Sequence, residues 1–107
     1  MERLKIALRI KPSKIVEFKQ TLYHLSEELQ KDCSSLKIKE TNNLQPYTII
    51  GEWETEDQMH RAIISKAFTI LSGAITALCE KSTIHLNDKP IGNHISILAN
   101  IKNNQLK

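Results

Sequence analysis

Four histidines, two cysteines and a single tryptophan are the residues of this chain with the most chemistry to offer. The histidines stand at 24, 60, 85 and 94, the cysteines at 33 and 79. Neither the number nor the spacing of the cysteines fits a disulfide scaffold or a zinc site, so no metal is expected. A serine hydrolase would need a Gly-x-Ser-x-Gly elbow, which is absent, and neither cysteine carries the local signature of a cysteine protease. Three glycines cannot build a phosphate cradle. What remains is Trp53 and its surroundings. Tyr47, Ile49, Gly51 and Trp53 alternate onto one side of a predicted strand, with Thr48, Ile50 and Glu52 on the other. Thr55-Glu56-Asp57-Gln58 then reads as a capping box that opens a helix. A strand that delivers a large aromatic beside a fresh helix makes either a core corner or the wall of a pocket.

The elements that must position Trp53 come from a chain of 107 residues, enough for one core and not two. Its 40% apolar and 25% charged content is that of an ordinary globular domain. The net charge of +3 is spread along the chain. Lys5, Arg9, Lys11 and Lys14 form the one basic concentration, and Lys37 and Lys39 add a short pair. Aromatics amount to 5% and none interleaves with these bases, so a solvated face is expected and no nucleic acid partner. The N-terminus has no signal-peptide pattern. No apolar run approaches the ~20 residues of a membrane span, so no membrane partner is expected. A cytoplasmic protein is the expectation.

Leu4, Ile6, Leu8 and Ile10 alternate with Lys5, Ala7 and Arg9, which predicts a first strand ended by Pro12, with Ser13 as the N-cap of a helix. Ile15, Phe18, Leu22, Leu25 and Leu29 make one stripe down that helix, over about five turns. Their burial is worth on the order of 8–15 kcal/mol before entropy. Leu36 to Glu40 alternates as a second strand, residues 41–46 are loop by composition, and a third strand runs from Tyr47 to Glu54. The helix from Thr55 is interrupted at Ser65, a fresh cap or a kink, and continues through Phe68, Leu71, Ile75 and Leu78 to Cys79. Thr83 to Leu86 is a fourth strand and residues 88–92 a turn. His94 to Ile101 alternates in the manner of an extra C-terminal strand.

The predicted fold class is therefore α+β: a ferredoxin-like βαββαβ antiparallel sheet with two helices on one face, strands 1 and 3 central. Residues 1–92 form the domain and 93–107 a tail, an edge or swapped strand. Helices on one face leave the other bare. Ile50 and Ala7 fall on that side, so an apolar open face and a homodimer by face-to-face sheet packing are expected.

Lys11-Pro12 with Phe18 opening the first helix, Gly51-Glu52-Trp53-Glu54-Thr55, and Ser65 with Phe68 give the chain a family likeness. Over roughly residues 3–88 it resembles the antibiotic biosynthesis monooxygenase (ABM) domain. The resemblance implies a dimeric α+β barrel with a ligand cavity between sheet and helices in each subunit. It implies for some members a cofactor-free oxygenase of aromatic phenols or quinols, for others haem degradation or isomerisation. Where the aromatic oxygenases of the family carry Asn, Tyr and Arg, this chain has Ile49, Met59 and Gly73. The common helix His aligns with Ala62, and the haem degraders' His with Ser72.

Two functions fit these residues. The first is a monooxygenase without cofactor acting on an electron-rich phenol or quinol, with Trp53, Ile49, Met59, Phe68 and Tyr47 as binding residues and His60 or His85 as catalytic base. The second is a non-catalytic dimeric barrel that binds a hydrophobic or aromatic small molecule or serves only a structural role.

Overall fold

The alternation in the first strand decides the architecture. In the computed structural model, which describes residues 2–31, 33–40 and 47–92, strand β1 (Glu2–Ile10) is the middle strand of a five-stranded sheet. Leu4, Ile6, Leu8 and Ile10 are 1–2% exposed and point to one face. β2 (Ser35–Glu40) and β3 (Tyr47–Trp53) lie on one side of it, β4 (Cys79–Leu86) and β5 (Lys89–Gly92) on the other. The order is β2-β3-β1-β4-β5, and every pairing is antiparallel. The ferredoxin-like order expected from the sequence is thus present, with β1 and β3 adjacent at the centre.

Helix α1 (Ile15–Lys31) buries Phe18, Leu22, Leu25 and Leu29, four of the five residues in the predicted stripe. It is entered through a 3-10 turn over Pro12–Lys14. Ser13 lies inside that turn rather than capping a helix, because Pro12, with its fixed φ, already starts the turn. The second helical stretch is two helices, α2 (Glu56–Ile63) and α3 (Lys66–Leu78), bent by 62° at the break. The break is written locally. The Thr55 hydroxyl accepts from the Gln58 amide at 3.2 Å, and Gln58 Oε1 accepts from the Glu54 amide at 3.2 Å. The Ser65 hydroxyl accepts from the Phe68 amide at 3.2 Å, a cap worth about 1 kcal/mol. α1, α2 and α3 share one apolar cluster with the inward residues of the strands.

Three expectations change. The predicted turn over residues 88–92 shrinks to Asn87 and Asp88, whose φ of 51° and 70° suit a two-residue hairpin. Lys89–Gly92 is then a strand, with Pro90 tolerated because β5 is an edge. β4 begins at Cys79, earlier than alternation suggests, because Glu80 and Lys81 are both exposed and hide the period. The open face is the third. Its apolar members, half-buried Ala7 and Ile50, adjoin Thr48 and Thr83 but are flanked by Lys5, Arg9, Lys37, Lys39 and Lys81. The outward parity of β1 and β2 is mostly basic and β4 adds Lys81, so this face is amphipathic rather than apolar. At one end Glu52 accepts from Arg3 Nε at 3.0 Å, the Arg3 amide donates to Asn87 Oδ1, and the Asn87 amide donates to the Arg3 carbonyl, both at 2.9 Å.

The loop at 41–46 and the extra strand expected at 94–101 lie outside the described residues. Among the described residues no single helix is long and apolar enough to cross a membrane.

Candidate functional site

The site grows from a contact between two residues of one strand. Gly51 and Trp53 are two apart on β3, so both face the helices. The Trp53 indole lies back across Gly51. A Cβ on Gly51 would stand 2.7 Å from the indole Cη2 and 3.3 Å from Cζ2 and Cζ3. Only glycine leaves that space, and the indole fills it with 4% exposure. The 62° bend between α2 and α3 brings Ala62, Ser65 and Phe68 over the same spot.

Between them is an internal apolar cavity of about 20 Å³. Trp53, Ile49, Gly51, Leu36 and Leu4 form its sheet wall, and Leu29, Ser65, Phe68 and Leu71 its helix wall. Its volume suits about one water, far below the about 150 Å³ that holds a benzene ring. Two polar groups of its wall are already engaged: the Ser65 hydroxyl caps α3, and the Cys33 thiol donates to the Leu29 carbonyl at 2.9 Å.

Outside the cavity, Cys33 and Ala62 also line a second, open cleft of about 370 Å³. Its other described walls are Lys31, Ser34, Gln58 and Arg61. The same two residues therefore part a greasy interior from a polar, cationic exterior. The Ser34 amide donates to the Glu52 carbonyl at 2.8 Å, which ties this rim to the end of β3.

Of the residues singled out from the sequence, Trp53, Ile49 and Phe68 meet in the cavity wall. Met59 is buried in the core, 1% exposed, but is not a lining residue. Tyr47, at the far end of β3, packs edge-on against Phe18 with ring centroids 5.8 Å apart. His60 is on α2, with Nε2 buried and 3.9 Å from Glu56 Oε1, too long for a hydrogen bond. His85 is paired with Lys5 and sits on the open face of the sheet, with the sheet between it and Trp53. His24 is exposed beside Tyr23. Neither His60 nor His85 lines the cavity. No group of three metal-ligating side chains occurs among the described residues. Cys79, at the junction of α3 and β4, is no nucleophile near neutral pH: burial pushes its thiol up to about 11, against the pull of Lys11.

The sequence reading missed the cleft. Lys31, Cys33 and Arg61 come from two helices and the residues after α1, and no spacing announces that they meet. Leu29 was legible as a stripe residue but not as a cavity wall.

No family model matches the sequence, and no curated protein matches it closely enough to count as a relative. The fold has clear parallels. A solved antibiotic biosynthesis monooxygenase has a TM-score of 0.74 to this chain at 21% identity, covering 82% of this chain and 97% of its own. A conserved protein from Methanosarcina mazei Go1 gives 0.74 at 23% identity, covering 82% and 91%. A Deinococcus radiodurans protein provisionally named an antibiotic biosynthesis monooxygenase gives 0.71 at 18% identity, covering 86% and 95%. The fold is therefore the ferredoxin-like α+β fold of proteins carrying that name.

The Gly51 contact yields a direct prediction. Gly51→Ala must push the indole or the strand aside, an overpacking that costs about 1–3 kcal/mol. Urea unfolding followed by Trp53 fluorescence should show a lower midpoint and a changed native emission. An unchanged midpoint and spectrum would place the indole elsewhere.

Proposed function

We propose that this chain acts as an antibiotic biosynthesis monooxygenase-like protein, with the space walled by Trp53, Ile49 and Phe68 as its ligand site. The observation that carries this reading is the lone indole at the end of β3. It walls an internal space between sheet and helices, in a fold shared with proteins of that name.

In its finer form the activity is a cofactor-independent monooxygenase of an electron-rich phenol or quinol. Such a ring, once deprotonated, passes an electron to O2 without help from a cofactor. The protein has to hold the ring, accept a proton and stabilise the anion. Trp53, Ile49 and Phe68 supply apolar walls. His60 is the favoured base, since it shares α2 with Ala62 of the cavity wall, whereas His85 lies across the sheet. A ring enters only if the wall opens, and Cys33 and Ala62, which part cavity from cleft, are the residues to move.

A second reading draws on the size of that cavity. Room for about one water, with the Ser65 hydroxyl and the Cys33 thiol of the wall already engaged, favours a non-catalytic protein that binds a hydrophobic small molecule or serves a structural role. Oxygen consumption separates the two. With an anthrone or a reduced quinone, the monooxygenase reading expects uptake above buffer, at least tenfold lower in Trp53→Phe. No uptake above buffer, with the variant indistinguishable from the parent, leaves the non-catalytic reading.

A homodimer through the open sheet face belongs to the same proposal, supported by Ala7 and Ile50 at the middle of that face. The surrounding lysines and arginines repel their copies, and salt screens such repulsion. Light scattering after size exclusion should show a dimer that tightens as ionic strength rises. A monomer at all salt concentrations contradicts it.

A further inference from the structure

We propose that the open cleft beside Ala62 is an anion subsite, and that the ligand of this protein is an amphipathic carboxylate. The inference rests on the reading of the Trp53 space as a ligand site and adds the chemistry of the ligand's other end. Three observations converge. The cleft, about 370 Å³, lies within the range of small-molecule sites. Its described wall holds two cations, Lys31 and Arg61, with Ser34 and Gln58 as neutral hydrogen-bonding groups and no acidic side chain. It shares Cys33 and Ala62 with the apolar cavity, so polar and apolar halves meet at one boundary.

The roles within the cleft differ. Lys31 Nζ is 3.1 Å from Glu28, an exposed pair that offsets part of its charge. Arg61 makes no hydrogen bond or ion pair with a described residue, and its planar guanidinium suits two parallel bonds to a carboxylate. Gln58 spends Oε1 on the Glu54 amide, which leaves its amide nitrogen as a donor. A carboxylate on Arg61 and Gln58 would turn its apolar end toward Cys33 and Ala62, and past them toward Trp53.

Titration of 15N-labelled protein with 4-phenylbutyrate and with its neutral analogue 4-phenylbutan-1-ol tests this. The acid should shift the amides of Cys33, Ser34, Gln58, Arg61 and Ala62 together with the Trp53 indole N–H. It should bind about tenfold tighter than the alcohol, and Arg61→Gln should remove that advantage. Lys81→Gln, a cation on the open sheet face, should leave binding unchanged. Equal affinity for acid and alcohol, or an acid preference that survives Arg61→Gln, overturns the anion subsite. If the indole N–H still moves in that case, the Trp53 ligand site stands without it. No shift in the cleft amides also overturns the subsite, whatever the oxygen-uptake result.

Discussion

Everything in this domain is arranged around an indole laid flat against a bare backbone. Trp53 could not fold back along its own strand if Gly51 carried a side chain. The covering layer is adapted to the same obstacle. It breaks at Ser65, turns by 62°, and sets Ala62 and Phe68 in the wall of the same cavity as the ring. Each helix start carries a side-chain cap, so the corner is marked in the sequence by Thr55 and Ser65, and packing of Met59, Ala62 and Phe68 into the core holds it.

The two faces of the sheet then obey different physics. The helix face carries β1, β3 and β4 side chains into one apolar cluster, where burial dominates the energy. The opposite face gathers cations around Ala7 and Ile50. That face thus sets a modest apolar area within a ring of positive charge. The cleft at Lys31 and Arg61 is a third environment, cationic like the open face but joined to the apolar interior through Cys33 and Ala62.

Period and capping made most of the scaffold readable. The alternation of Leu4 to Ile10, the stripe from Phe18 to Leu29, and the caps at Thr55 and Ser65 each depend on neighbours close in sequence. The features that escaped the reading depend on geometry that neighbours do not fix. Asn87 and Asp88 turn the chain in two residues because both accept positive φ, which released Lys89 to Gly92 to pair as a strand. The basic character of the open face emerges only when the outward residues of separate strands are set in register. At the site, Trp53, Ile49 and Phe68 were legible because strand parity and helix spacing converge on one volume. His85 alternates with Ile84, which is fully buried on the other side, so strand parity sets it on the open face. Met59 and Tyr47 are apolar and inward-facing, so nothing local distinguishes a core position from a cavity wall.

Acrylamide quenching of the lone tryptophan tests the central contact most directly, because no other indole contributes to the signal. A ring sealed between Gly51 and the α2–α3 corner predicts a blue-shifted native emission that acrylamide barely quenches, with full quenching only after unfolding in urea. A native emission quenched as strongly as that of the unfolded chain would mean that the indole faces water and that no ligand site of this form exists.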